Sequence, residues 1–183
     1  EGVWKESIAE GADSTLNAAT MPWKLVRNAN GTFTFSPNAW ISRSVGDAIS
    51  ASDPSFVGKK LNDIFFHRNR LGVIADENVI FSRSGSYFSF YPETVTTVLD
   101  TDPIDVAVSH TKVSILRHAI PFNETLLLFS DQTQFMLSAG DSLTPATVSI
   151  NQTTEYESSL QAEPVGAGEY VYFATNREGF TGV

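Results

Sequence analysis

The sequence predicts an all-β fold of antiparallel strands arranged in propeller-like blades, with little helix. Short β-type runs alternate with turn residues along most of the 183-residue chain. The chain holds 13 Phe, 5 Tyr and 3 Trp, and aromatic side chains favour pleated, half-buried surfaces. Three similar segments also recur 48 and 44 residues apart. This interval is about the length of one four-stranded propeller blade.

The repeat consists of three apolar residues and one small residue, followed by a polar turn and an aromatic or glycine-aromatic pair. Its copies are Val79-Ile80-Phe81-Ser82, Leu127-Leu128-Phe129-Ser130 and Val171-Tyr172-Phe173-Ala174. The pairs that follow are Tyr87-Phe88, Phe135-Met136 and Gly179-Phe180. A propeller has at least four blades, so three units predict a partial propeller. Chance similarity among hairpins is the alternative explanation.

The predicted organisation has two parts. Residues 1–60 should form a hairpin and a long connecting loop, and residues 61–183 about three blade-like units, the last one truncated. The chain starts without an initiator Met and ends directly after an apolar run. We therefore expect it to be a fragment of a longer protein.

The individual elements follow from local patterns. The Asn-Gly pair at 30–31 tolerates positive φ and predicts a hairpin between strands at 23–27 and 32–35. The polar segment 42–63 suggests a long surface connection, and 93–99 supports at most one helical turn. The remaining predicted strands lie at 64–66, 71–75, 79–81, 87–91, 104–108, 113–120 (ended by Pro121), 126–129, 134–137, 148–150 and 171–173.

The net charge of −9 is distributed unevenly. Residues 1–91 hold 9 basic and 9 acidic side chains, whereas residues 92–183 hold 3 and 12, and no Lys or Arg lies between Arg117 and Arg177. Tight binding of nucleic acid requires cations that neutralise phosphates, so this half argues against it. An acidic surface here would either repel DNA, as a conduit needs, or simply be solvated. The candidate residues are Glu124, Asp131, Asp141, Glu155, Glu157, Glu163 and Glu169.

The sequence predicts no catalytic residue, no cofactor and no metal site. No Gly-x-Ser-x-Gly motif and no Cys occur, and the histidines at 67, 110 and 118 lack zinc-ligand spacing. The acids at 100, 102 and 105 fail the EF-hand pattern, and Asp102-Pro103 is better explained as turn initiation. A carboxylate pair for glycoside hydrolysis stays conceivable, drawn from Glu93, Asp102, Asp105 and Glu124, although no spacing selects a pair.

The basic cluster Arg68-Asn69-Arg70 lies between two predicted strands. We expect its arginines to cap strand-end carbonyls and to pair with acids such as Asp63, Asp76 or Glu77. An interface ion-pair site or a phosphate contact is the functional alternative.

Several motifs, in order along residues 20–183, resemble the central region of the tail tubular protein B family, the nozzle proteins of autographivirus-type podoviruses. They include 65–72 (FFHRNRLG), 77–83 (ENVIFSR), 88–92 (FSFYP), 102–109 (DPIDVAVS) and the 127–137 hairpin. The motif residues to which the resemblance assigns a structural role are Arg68, Asn69, Arg70, Leu71, Gly72, Asn78, Ser82, Arg83, Asp102, Pro103, Asp105, Ser130, Gln134 and Phe135.

The resemblance implies a virion protein of the phage tail that assembles as a hexameric nozzle and closes the distal tail tube. It implies contacts with the tail adaptor ring (tail tubular protein A) and the tail fibres, passage of double-stranded DNA without tight binding, and an indirect relation to the host envelope. Two alternatives stay open. One is a carbohydrate-active tail protein that hydrolyses host surface polysaccharide, and the other is a non-catalytic β scaffold for subunit contacts.

Overall fold

The computed structural model describes residues 4–12, 15–109, 113–177 and 180–183, and within them the chain is all-β and antiparallel, without helix. Consequently, no helix in the described part is long and apolar enough to cross a membrane. The strands are β1 (Trp23–Arg27), β2 (Phe33–Pro37), β3 (Leu61–His67), β4 (Arg70–Ala75), β5 (Asn78–Phe81), β6 (Ile104–Ala107), β7 (His118–Phe122), β8 (Thr125–Phe129), β9 (Gln134–Ser138), β10 (Ser149–Thr154), β11 (Val165–Ala167), β12 (Tyr170–Tyr172), β13 (Thr175–Arg177) and β14 (Phe180–Gly182).

Two four-stranded sheets form the centre of the molecule. The first sheet has the order β3-β4-β5-β6 and the second has β7-β8-β9-β10, so each strand pairs with the next along the chain. β1–β2, β11–β12 and β13–β14 are separate two-stranded hairpins. The hairpin predicted around residues 28–31 is confirmed, with Trp23 opposite Pro37 and Arg27 opposite Phe33.

The first sheet is buried on both faces. Ile74, Val79 and Phe81 point into one core cluster with Leu128 and Phe135 of the second sheet. The alternate residues Val73, Ala75 and Ile80 pack on the other side with Met21, Phe56 and Phe90. Successive side chains of a strand point to opposite faces, and apolar residues on both explain the nearly continuous apolar run of β4. The first sheet is thus the middle layer between the second sheet and the N-terminal segments.

Polar links fix the two sheets to each other at their edges. Asp63 Oδ2 accepts the Ala119 N–H at 2.8 Å, and Asn62 Nδ2 donates to the Leu116 carbonyl at 2.8 Å. The Leu116 N–H donates to the Asp76 carbonyl at 2.8 Å. These bonds set the relative position of the sheets more specifically than apolar packing alone would.

The connection at 42–63 is more buried than predicted. Arg43, Val45, Ala51 and Phe56 are all buried. Arg43 donates to Asp53 at 2.6 Å and its guanidinium lies 5.0 Å from the centroid of the Tyr91 ring. The segment therefore covers the first sheet rather than running over the surface.

Two strand predictions were wrong. The run at 87–91 forms turns and one bridge, between Ile41 and Ser89, inside the long β5–β6 loop (residues 82–103). The strand predicted at 113–120 begins only at His118 and continues through Pro121. Proline is tolerated there because β7 is an edge strand, so its missing N–H breaks no ladder.

The 48-residue repeat matches strands that occupy different positions. Phe81 lies in the third strand of the first sheet, whereas Phe129 lies in the second strand of the second sheet. Topologically equivalent strands lie farther apart in sequence. β3, β4 and β5 begin at residues 61, 70 and 78, and β7, β8 and β9 begin 57, 55 and 56 residues later. Gly179, which belongs to the third copy, lies outside the described residues.

Candidate functional site

The β3–β4 turn places the predicted basic cluster at the boundary between the two sheets. Arg68 and Asn69 have φ of 44° and 61°, the pair of positive values that a two-residue hairpin turn requires. Arg68 Nη1 donates to the carbonyl of Gly140 in the β9–β10 connection at 2.8 Å, and its guanidinium lies 3.9 Å from Glu124 in the β7–β8 turn. Asn69 Oδ1 accepts the Tyr87 hydroxyl at 2.8 Å. The turn thus contacts both the second sheet and the β5–β6 loop.

Arg70 is the most specific feature of this region because its charged side chain is completely buried. It donates to the carbonyls of Ser82 at 2.8 Å, Asp100 at 2.7 Å and Asp102 at 2.6 Å. Burial lowers the pKa of Arg70, and the nearby Asp102 carboxylate opposes that shift. An arginine nevertheless stays protonated in proteins, and it presents several donors in a rigid fork. Arg70 therefore holds both ends of the β5–β6 loop against β4.

The predicted capping of carbonyls by the arginines is confirmed, but the predicted acidic partners were wrong. Asp76 pairs with Lys59 at 3.4 Å, and Arg68 pairs with Glu124. The reason is geometric: the tight turn directs Arg68 towards the second sheet.

Ser82, Leu71 and Arg83 complete the attachment of the loop. Ser82 Oγ accepts the Leu71 N–H at 3.0 Å and donates to the Arg83 carbonyl at 3.0 Å. The Arg83 guanidinium forms an ion pair with Glu93. These contacts extend the β4–β5 pairing into a segment that has no regular strand.

Asp102 and Pro103 end the loop rather than initiate a turn. The Asp102 N–H donates to the Leu99 carbonyl at 3.0 Å, and Asp102 Oδ2 accepts the Leu99 N–H at 2.8 Å. Asp102 is therefore the last residue of a turn that leads through Pro103 into β6. The carboxylate of Asp105, in β6, accepts the Ser55 N–H at 2.7 Å and the side-chain amide of Asn78 at 3.1 Å. These two bonds join β6 to β5 and to the segment at 42–63.

Gly72 is required by the close packing of an aromatic ring. Gly72 pairs with Phe65 on one side and Phe81 on the other, and these two rings form an edge contact at 5.6 Å. A Cβ at residue 72 would lie 2.2 Å from the Phe65 ring. No side chain fits at that distance.

Ser130, Gln134 and Phe135 have the corresponding structural role in the second sheet. Ser130 Oγ accepts the Thr133 N–H at 3.0 Å and closes the β8–β9 turn, and Phe135 is buried in the shared core. Gln134 is also buried; its Oε1 accepts the Tyr156 N–H at 3.1 Å and its Nε2 donates to the Tyr156 carbonyl at 2.9 Å. The segment after β10 is thereby fixed to the sheet.

All seven candidate acidic residues are exposed, and they lie in turns or connections rather than in strands. Glu124 lies in the β7–β8 turn, Asp131 in the β8–β9 turn, Asp141 between β9 and β10, and Glu169 in the β11–β12 turn. Glu155, Glu157 and Glu163 lie between β10 and β11. The acidic surface is thus distributed over loops.

The four carboxylates considered for glycoside hydrolysis have structural contacts instead. Asp102 closes a turn and Asp105 links three segments, as described above. Glu93 pairs with Arg83, and Glu124 lies near Arg68. This geometry gives the hydrolase alternative no support.

Neither a metal centre nor a histidine site emerges from the described part of the chain. No group of three or more His, Cys, Asp or Glu there could hold a metal ion. His67 is buried, which lowers its pKa, and the positive charge of Arg68 adds to the effect. His110 lies outside the described residues.

Sequence reasoning missed a strongly apolar surface on the β1–β2 hairpin. Trp23, Leu25, Phe33 and Phe35 are all exposed, and the rings of Trp23 and Phe35 stack at 5.1 Å. The Asn-Gly pair predicted the hairpin, but the sequence analysis made no prediction about the burial of its faces. The described residues of this chain cover neither of its faces fully.

Comparisons with known proteins identify the family of the chain. The family model described as bacteriophage nozzle protein matches residues 1–183. Tail tubular protein gp12 of Escherichia phage T7 is 45% identical to the chain over 181 residues. That match covers 99% of this chain and 23% of the relative, so the chain spans less than a quarter of the relative's length. The chain therefore belongs to the bacteriophage nozzle protein family.

Proposed function

We propose that this chain forms part of the wall of a ring-shaped nozzle that closes the distal end of a short phage tail and passes DNA during ejection. The observation that carries the proposal is the match of the nozzle family to all 183 residues. The name of the T7 relative, a tail tubular protein, supports a place in a tube-shaped assembly.

We further propose that the two four-stranded sheets are neighbouring blades of a propeller-like body. Each has its strands in chain order, and the two share one apolar core. Both properties are typical of adjacent propeller blades. Residues 61–183 would then contain two full blades and the beginning of further β structure, and residues 1–60 would cover the outer face of the first blade.

The charge distribution suits a channel that must release DNA. The region from His118 to Asn176 contains no Lys or Arg, and its acidic side chains are exposed on loops. Such a surface repels phosphates, so it would not hold DNA during passage. In this proposal the function needs neither a cofactor nor catalysis.

The partners proposed are other tail proteins and further copies of the same chain. A hexamer, an adaptor ring above the nozzle and tail fibres at its side follow from the family resemblance. Contact with the host envelope would be indirect. The scaffold alternative differs only in omitting the channel.

The test is the oligomeric state and shape of the full-length tail protein, measured by light scattering and negative-stain imaging. A ring with a central channel is expected. A stable monomer, both alone and with its tail partners, would refute the proposal. Rings without a channel would favour the scaffold alternative.

A second experiment tests the acidic surface itself. The variant Glu124→Gln with Asp131→Gln and Asp141→Gln neutralises three exposed loop acids, and Glu6→Gln, Glu10→Gln and Asp76→Gln remove the same charge elsewhere. Assembled phage carrying the first set should eject DNA more slowly, because the wall repels phosphates less. Equal ejection rates for both sets would contradict a repelling wall.

A further inference from the structure

The β1–β2 hairpin (the aromatic hairpin) presents one continuous apolar face to solvent. Trp23, Leu25, Phe33 and Phe35 lie on this face, since residues opposite each other in a pair point the same way. They are 45%, 63%, 61% and 66% exposed. At roughly 200 Å² per large apolar side chain, they expose about 470 Å² together. This is more than half of the roughly 800 Å² that one partner buries in a standard interface.

The aromatic hairpin is also the basic part of the chain. No Asp or Glu occurs from residue 15 to residue 46, whereas Lys24, Arg27 and Arg43 do. Lys24 and Arg27 are exposed and take part in no ion pair among the described residues. Arg27 lies directly opposite Phe33, on the apolar face itself.

A groove of complementary character lies near the other end of the chain. This acidic groove has a volume of about 520 Å³ and is lined by Glu155, Tyr156, Glu157, Phe173 and Thr175, among others. Tyr156 and Phe173 lie 6.3 Å apart and give it an aromatic wall, and Phe173 is anchored on Phe129 of the second sheet at 5.5 Å. Glu155 and Glu157 are both exposed. The nearest basic residues in sequence are Arg117 and Arg177.

We propose that the aromatic hairpin of one copy docks in the acidic groove of a neighbouring copy, with Arg27 facing Glu155 and Glu157; Lys24 points to the other face of the hairpin. The charge complementarity between these two surfaces selects a second copy as the occupant. Because the two surfaces differ, the contact is head-to-tail, and head-to-tail contacts close into rings when the rotation allows it. The inference rests on the proposed ring and names the surfaces that would build it.

A reciprocal charge exchange in the full-length tail protein tests the contact. One variant carries Arg27→Glu, and the other carries Glu155→Lys with Glu157→Lys. Each variant alone should self-associate at least ten-fold more weakly than the wild type, because like charges face each other. An equimolar mixture should restore rings, since each hairpin then meets a groove of opposite charge.

A variant that keeps every charge separates apolar packing from ion pairing. Phe33→Ser with Phe35→Ser should also weaken association at least ten-fold. Glu124→Lys with Asp141→Lys, which changes the net charge equally on other loops, should leave the rings intact. Circular dichroism confirms that each variant is folded before association is measured.

The outcomes distinguish the contact from the proposed function. Wild-type rings that persist in both charge variants, or that the mixture fails to restore, overturn the contact but leave the nozzle proposal standing. Intact rings that lose binding to vesicles of anionic lipid in the Arg27→Glu variant would make the hairpin a lipid-binding element and overturn the contact as well. A monomeric wild type would refute the nozzle proposal itself.

Discussion

Arg70→Met should release the β5–β6 loop from the first sheet while leaving the strands in place. Methionine fills nearly the same space as the aliphatic part of arginine but donates no hydrogen bond. The carbonyls of Ser82, Asp100 and Asp102 would then lose donors that now lie 2.6 to 2.8 Å away. The loop keeps its apolar contacts through Phe90 in the second core cluster.

The expected cost follows from the environment of each acceptor. The bonds to Ser82 and Asp102 are buried, and an unsatisfied buried acceptor costs about 1 to 3 kcal/mol. The bond to Asp100 is only partly buried, so water replaces part of it. Removing the buried cation also recovers part of its desolvation cost. The lowered pKa of Arg70 reflects this cost, because burial disfavours the charged form. A net loss of about 3 to 4 kcal/mol results, a factor on the order of 100 to 1,000 in the local opening equilibrium.

Hydrogen exchange of the full-length tail protein, read by mass spectrometry, measures this opening directly. The amides that report it are those of Ser84, Leu99 and Asp102, which donate within the loop. The control is Arg117→Met, because the side chain of Arg117 makes one long bond among the described residues, to Asn62 at 3.4 Å. Exchange that rises less than about three-fold at these amides, or equally in the control, would refute the reasoning.

Three further changes have defined outcomes. Gly72→Ala should lower the free energy of unfolding by about 1 to 3 kcal/mol in denaturant titrations, because its Cβ would meet the Phe65 ring at 2.2 Å. Gln134→Leu should speed exchange of the Tyr156 amide at least ten-fold, because its two bonds to Tyr156 and its bond from Thr154 at the end of β10 are lost. His67→Gln should flatten the acid side of the stability profile. Burial lowers the pKa of native His67, so as the pH falls through about 6.5 the unfolded chain binds a proton there more readily than the native chain does, and the wild type loses stability.

Each of these predictions has a matched control. Gly140→Ala adds a methyl group where nothing lies within 4 Å, and its effect should be below about 0.5 kcal/mol. Gln132→Leu changes an exposed glutamine of the neighbouring turn and should leave exchange at Tyr156 unaltered. The pH prediction is controlled within the same pair of proteins, because the profiles of the wild type and His67→Gln should run parallel above about pH 7.5, where this histidine is neutral in both states. An equal effect in control and test variant would contradict the stated cause in each case.

Local patterns predicted most strands because apolar alternation and turn residues act over short distances. The hairpins around Asn30-Gly31 and at 126–137 are confirmed in this way. The run at 87–91 was misassigned because its aromatic residues fill the space beside the first sheet instead of pairing with a strand. Its burial depends on Trp40 and Phe56, which are distant in sequence, so no local pattern could reveal it.

The sequence allowed a prediction of the type of contact that the motif residues make, but not of their partners. The sequence indicated that the arginines at 68 and 70 bind carbonyls, but it could not show that Arg70 reaches acceptors 12 and 32 residues away. The same limit applies to Asp105 and Ser55, which are 50 residues apart. Contacts of this kind depend on how the loops fold back, and the spacing of residues along the chain does not encode that.

The attachment of the β5–β6 loop through Arg70 has a consequence for sequence change. All three of the short bonds from Arg70 end on main-chain carbonyls, and every amino acid supplies one. Side chains at the accepting positions can therefore be exchanged without removing the acceptors. Changes in length are different: an insertion between Asp100 and Asp102 would move the carbonyls off the fixed fork of donors, whereas one near residues 96–98, an exposed stretch between the two anchored ends, would not. The three acceptors of Arg70 should therefore survive substitution, whereas the loop should accept added residues only at its outer bend.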